Sequence, residues 1–258
     1  MHPLRPYIGI TDFMNAKQVE LMRKVFLKHA PAHSARVLHV GVMMSYKTLN
    51  DIETKWSKAF PDKESIIDIF WSDDVFNCLH YADYDHANDF ALDLATAIAY
   101  GGSHLHGLQL DMVWPNPSDI FQAIQFSGVA PEIILQVGKN AIEAAGNDPK
   151  QVVDRLGDYH GLVHRVLLDK SMGKGLGMDA EGLLPFARAI REAFPDMGIG
   201  AAGGLGPMTM DLVTPLLAEF SDLSIDAQGR LRPSGNALDP IDWGMAGEYL
   251  RKAIEMTR

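Results

Sequence analysis

Cysteine is nearly absent: Cys78 is the only one in the chain of 258 residues. A lone thiol can form neither an internal disulfide nor a cysteine-based metal site, and its plainest reading is a small buried apolar side chain. Positive charge is also short, with 23 Lys and Arg against 33 Asp and Glu and a formal net charge of -10. Sequence-independent nucleic-acid binding rests on clustered cations, so no nucleic-acid partner is expected. The same deficit does not exclude a phosphate ester, because a few backbone N–H groups and one cation suffice locally. No apolar run reaches the length of a membrane span, so no membrane partner is expected. The opening Met1-His2-Pro3-Leu4-Arg5-Pro6 has no apolar h-region, which predicts no secretory signal and a cytoplasmic chain. Glycine and proline are scattered, without a linker-like stretch, which predicts one domain over residues 1–258.

What is present is a long alternation of short apolar runs and helical patterns. Strands are predicted at Tyr7 to Thr11, Arg36 to Met44, Val75 to Tyr81, Leu105 to Val113, Glu132 to Val137, Val163 to Asp169, Ile199 to Ala202 and Leu223 to Ala227. Helical spacing is predicted over Ala16 to Ala30, capped by Asn15, and over Thr48 to Phe60, Ala87 to Ala99 and Ser118 to Phe126. Four more follow at Asp148 to Leu156, Ala180 to Phe194, Thr209 to Phe220 and Trp243 to Met256. Ile66 to Asp74 reads equally as strand, short helix or loop. Eight strand-then-helix units imply a parallel sheet with right-handed crossovers. A closed eight-unit barrel typically needs about 250 residues, and 47% of this chain is hydrophobic. The predicted fold class is therefore α/β, a single (β/α)8 TIM barrel, with an open doubly wound sheet as the alternative.

The chemistry of such a barrel lies at the C-terminal ends of its strands. The sixth to eighth strands end in glycine, carboxylate or both: Leu167-Leu168-Asp169, Ala201-Ala202-Gly203-Gly204-Leu205 and Ser224-Ile225-Asp226-Ala227-Gln228-Gly229. Glycine lets the main chain approach a ligand closely, and strands seven and eight often build a phosphate site in barrels. Asp169, Asp111, His39 and His80 are the catalytic candidates. Gln109, Lys174, Gly175, Gly203, Gly204, Asp226, Gln228 and Gly229 are the substrate-binding candidates. Period-two alternation puts Gln109 and Asp111 on one face, and Asp226 and Gln228 on one face. His104 and His106, spaced i, i+2 near the fourth strand, lack a third ligand, so no metal and no cofactor is expected.

Several of these residues form a recognisable order. Gly9-Ile10-Thr11, Gln109-Leu110, Leu167-Leu168-Asp169 with its following glycine-rich loop, Gly203-Gly204-Leu205-Gly206-Pro207 and Ile225-Asp226 with Gly229 run in sequence along most of the chain. This series resembles phosphoribosylanthranilate isomerase. The resemblance implies a barrel with a phosphate site, and Asp169 as general acid. Where that family has its general-base cysteine this chain has Ile8, and its fourth-strand histidine is Asp111 here. The resulting expectation is an acid–base isomerase acting on a small phosphorylated substrate, with Asp111 the first choice of base. The alternatives are a phosphate-binding lyase or aldolase, and a barrel that only binds ligand. Lys139 and Lys170 are the candidates for Schiff-base chemistry. A homo-oligomer stays open.

Overall fold

The computed structural model describes residues 4–84, 89–169 and 177–258. Eight parallel strands close on themselves: β1 (Tyr7–Thr11), β2 (Val37–Ser45), β3 (Phe76–Ala82), β4 (Gly107–Asp111), β5 (Glu132–Gly138), β6 (Arg165–Asp169), β7 (Gly198–Ala202) and β8 (Ser224–Ala227). Each pairs with its sequence neighbours, and the seam is made where Ile8, Gly9 and Ile10 of β1 meet Ile225, Asp226 and Ala227 of β8. A strand of such a sheet is buried on both faces, which explains runs as apolar as Ile133-Ile134-Leu135.

The two faces of the strands serve different purposes. Ile8, Ile10, Leu38, Val40, Leu108, Leu135, Leu168 and Ile225 point outwards into the large core shared with the helices. Tyr7, Val37, Phe76, Cys78, Ile134, Leu167 and Ala202 form a smaller cluster inside the barrel. The interior is filled by pairing large side chains with glycines. A Cβ on Gly107 would stand 2.7 Å from the Phe76 ring, and one on Gly200 would stand 2.8 Å from Leu167 Cδ1. Alanine at either position would collide with its neighbour, because interiors are already close-packed.

The N-terminal end of the barrel is plugged by Arg165. Its side chain is 4% exposed, and Nε donates to Glu132 Oε2 at 2.7 Å. The guanidinium also lies 5.6 Å from the Tyr7 ring and 5.4 Å from the Phe76 ring. A buried cation is tolerated only when paired in this way.

The outer layer comprises α1 (Ala16–His29), α2 (Tyr46–Leu49), α3 (Ile66–Ile69), α4 (Phe90–Gly101), α5 (Pro117–Ser127), α6 (Lys139–Ala144), α7 (Pro149–Gly157), α8 (Ala180–Ala193), α9 (Thr214–Glu219) and α10 (Trp243–Met256), with short 3-10 turns between some of them. None of the described helices is long and apolar enough to cross a membrane.

Several boundaries depart from the sequence expectation, each for a local reason. The helix expected from Thr48 to Phe60 stops after the four residues of α2. Asp51 adopts φ 56°, and Ser57 Oγ and Thr54 Oγ1 accept from nearby backbone N–H groups. Such local bonds compete directly with the helical ladder. Lys63 then pins the turn by donating to Leu49 O at 2.8 Å. At α5 the cap is Asn116, whose side chain accepts from Ser118 N, with Pro117 in the first turn. The helix therefore begins at Pro117, one residue before the expected start at Ser118, a position that suits proline's missing N–H. The helix expected over Thr209 to Phe220 is divided into a 3-10 turn (Met210–Val213) and α9, where Pro215 cannot donate to the preceding turn. The Ile66 to Asp74 stretch contains α3, and α6 went unpredicted.

Candidate functional site

At the C-terminal ends of the strands the barrel opens into a cavity of about 940 Å³. The last inward residue of each strand decides what lines it. Thr11, His80, Gln109, Asp111, Gln136, Asp169 and Asp226 all reach its wall. Gln109 and Asp111 both face inwards, two residues apart on β4. Gly203, Gly204 and Gly229 form part of the rim on the side of β7 and β8.

These polar groups are coupled to one another. His80 Nε2 lies 3.5 Å from Asp111 Oδ2. Gln109 Nε2 donates to Gln136 Oε1 at 2.8 Å and approaches His80 Nδ1 at 3.2 Å. Its carbonyl oxygen is buried without a partner. Burial alone would lower the His80 pKa, but the Asp111 hydrogen bond and charge, helped by Asp226 and Asp12, raise it above the ordinary histidine value. The Tyr84 hydroxyl is held protonated by burial and by Asp111, to which it bonds.

Asp226 is a strongly perturbed carboxyl group of the mouth. Burial pushes its pKa up to about 7, against the opposing effects of the Thr11 hydrogen bond and of His80. Thr11 Oγ1 donates to its Oδ2 at 2.8 Å. Thr11 itself was not singled out from the sequence, although it lies in the Gly9-Ile10-Thr11 run.

The seam side of the mouth is held by a tie between distant parts of the chain. Asp12, at φ 93°, is 4% exposed. Arg232 Nη2 pairs with its Oδ2 at 2.5 Å, and Gln228 Nε2 donates to both carboxylate oxygens at 3.0 and 3.1 Å. Arg232 also donates to Gln228 O and Asp239 O. Gln228 lines the cavity, but its amide is engaged by Asp12. Arg232 is buried within this tie, whereas Arg230 lines the cavity.

The remaining candidates fall in different places. His39 is buried one level below the cavity wall, stacked on Tyr7 with ring centroids 4.5 Å apart. Lys174, Gly175 and Lys170 lie outside the described residues. Lys139 begins α6, half-exposed and 3.6 Å from Glu143. His104 pairs with Asp73 at 2.6 Å, and His106 Nδ1 accepts from Asn77 N, at the opposite end of the strands from the mouth. Ile8 faces the helix layer, so nothing at that position meets the cavity. Sequence reading missed the wall supplied by α2 and the segment after it. Tyr46, Lys47, Thr54, Lys55, Trp56 and Phe60 all line the cavity, and Trp56 stacks on Phe60 at 5.8 Å. A tryptophan read as part of a helix carried no signal of that role.

Two solved structures share the barrel architecture. Phosphonopyruvate hydrolase superposes with a TM-score of 0.50 at 12% identity, covering 86% of this chain and 75% of its own. The tryptophan synthase alpha chain from Legionella pneumophila subsp. pneumophila gives a TM-score of 0.50 at 11% identity, covering 97% of this chain and 92% of its own. The fold is the TIM barrel. At these identities the likeness extends to the fold and no further. No protein-family model matches the chain, and no curated protein matches it in sequence.

Proposed function

We propose that this TIM barrel is an enzyme that binds a phosphorylated metabolite and isomerises it by acid–base catalysis. One observation carries the reading: a glycine rim on β7 and β8 faces the same cavity as Asp111, Asp169 and His80. Gly203 and Gly204 have φ of 98° and 70°, a pair of conformations that L side chains rarely adopt. Together with Gly229 they bring bare main chain to the cavity, where N–H groups would hold a phosphate dianion. Arg230 adds a cation to that wall.

The carboxylates supply the proton chemistry. An aldose-to-ketose type of rearrangement needs a base to take a proton from carbon and an acid to protonate the departing ring oxygen. Asp169 is assigned as the acid. Asp111, paired with His80, is assigned as the base, with Gln109 and Gln136 orienting the ligand. The order of motifs resembling phosphoribosylanthranilate isomerase supports the acid and the phosphate rim. Ile8 faces away from the cavity, so the base must come from elsewhere, which favours Asp111.

The test begins with a thermal-shift screen of sugar phosphates. A ligand present at a hundredfold excess over its Kd should stabilise the chain by about 2.7 kcal/mol. A phosphorylated hit should then be converted by the wild-type chain. If the sugar phosphates leave the melting temperature unchanged, or if Asp169→Asn retains full turnover of a converted hit, the reading is wrong.

A further inference from the structure

At the cavity floor and just below it, three buried side chains carry polar atoms with no hydrogen-bond partner. They are both ring nitrogens of His39, Oδ1 of Asp226 and the Tyr7 hydroxyl. Two of these groups converge on one point. A Cβ on residue 9 would stand 2.6 Å from Asp226 Oδ1 and 3.0 Å from His39 Nδ1. The register explains the convergence, since Gly9 is the ladder partner of His39 on β2 and of Asp226 on β8. Glycine is required there because any side chain would stand between imidazole and carboxyl.

An unpaired buried donor or acceptor costs about 1–3 kcal/mol. A link across the notch relieves the cost for both groups at once. The His39 ring is stacked on Tyr7 at 4.5 Å and on Phe76 at 5.9 Å, which restrains its plane. Asp226 is restrained too, because Thr11 holds its other oxygen.

We propose that His39 is a positioning residue for Asp226, donating Nδ1–H to its Oδ1 across the notch left by Gly9, so that Asp226 serves as a further proton-handling group at the cavity floor. A small shift of the carboxyl group or one bridging water closes the same link; in both cases the donor is His39. The catalytic part of this inference rests on the function proposed above, while the link itself does not.

The charge states are compatible. Burial, assisted by His80 and Arg165, lowers the His39 pKa to about 3, so the ring is neutral and has one N–H to give. The groups facing Asp226 are Thr11, His80 and Asp12 towards the mouth, and Tyr7, Cys78 and Tyr249 on the buried side. A neutral N–H donor favours the ionised carboxylate, so removing it must raise the Asp226 pKa further.

The experiment follows the carboxyl carbon of Asp226 by NMR across pH in wild type, His39→Leu and His39→Asn. The leucine variant should move the midpoint upwards by about one pH unit. Asparagine, which places an amide N–H near the position of Nδ1, should return it most of the way. A purely structural role for His39 would not be rescued in this way. An unchanged midpoint in His39→Leu overturns the proposal. If that variant fails to fold, the wild-type ring decides. The nitrogen spectrum should show the Nδ1–H tautomer, with shifts that follow the Asp226 midpoint and lose that pH dependence in Asp226→Asn. An Nε2–H tautomer, or pH-independent shifts, overturns the proposal. Inorganic phosphate binding, measured in parallel, tests the function separately. Loss of that binding with the coupling intact removes the isomerase reading and leaves the pair.

Discussion

The two ends of the barrel are built from the same eight strands with the same inward alternation, yet they differ in how charge is handled. At the N-terminal end Arg165 is fully spent, on Glu132 and two aromatic rings, and a Cβ on Gly198 would come within 2.9 Å of its Cγ. At the C-terminal end Asp111, Asp169, Asp226 and His80 surround about 940 Å³ of open space. Polar groups at the first end stabilise the fold by satisfying one another. At the second, burial pushes the Asp226 carboxyl up to about 7, and Asp111 raises His80 against the opposing effect of burial; shifts of this kind are common at sites of function. A carboxyl at the end of an inward strand face therefore means something different from a cation at its start.

The contrast can be broken from either end. The largest effect is expected at the mouth: Asp169→Asn should lower turnover of any phosphorylated substrate by about 10²–10⁴-fold, the usual contribution of a general acid, with inorganic phosphate still bound. Steady-state kinetics and calorimetry measure the two parts. Next is Arg165→Ala, expected to cost about 3–5 kcal/mol in urea unfolding, because it leaves Glu132 without its partner and opens a void. Ligand binding at the mouth should survive that change in the folded fraction. A cost below about 1 kcal/mol would mean that the floor is not held by this pair.

Asp226→Asn should act in the opposite direction. The folded pKa of about 7 lies above the ordinary aspartate value, so the native carboxyl keeps its proton where the unfolded one has lost it. Stability therefore falls as pH rises from about 4 to about 7, and the loss is complete above that range. Removing the charge should raise stability at pH 8 by about 2–4 kcal/mol and flatten this part of the pH profile. Chemical denaturation at pH 5 and pH 8 checks the sign. The smallest effect is expected for Gly204→Ala, where φ 70° costs a side chain about 1–2 kcal/mol, with weaker phosphate binding as the sharper readout.

Much of the architecture could be read from the chain because two periods dominate it. Apolar runs at strand length alternate with helical spacing, and β1 and α10 have the predicted limits, Tyr7–Thr11 and Trp243–Met256. The glycine and carboxylate endings of β6, β7 and β8 also pointed to one end of a barrel. Depth was less legible. Alternation shows that His39 points inwards, but not that it sits below the cavity, because strand tilt and stagger set the level of each residue. Side-chain partners were not legible either. Gln228 and Arg232 are engaged by Asp12, more than 200 residues away, and no local pattern records that pairing. The segment from residue 48 to 60 misled for another reason: its helical spacing lost to hydrogen bonds made by Thr54, Ser57 and Lys63.

The tie between Asp12 and Arg232 has a consequence for how the ring is completed. It joins residues 220 apart, as Thr11 and Asp226 join residues 215 apart, at the place where the last strand meets the first. During synthesis β1 must wait for almost the whole chain before its second neighbour exists, with Asp12 still hydrated. Closure-dependent protection of the β1 amides should therefore come late in refolding, and a chain cut before residue 224 should keep that edge open to exchange with solvent.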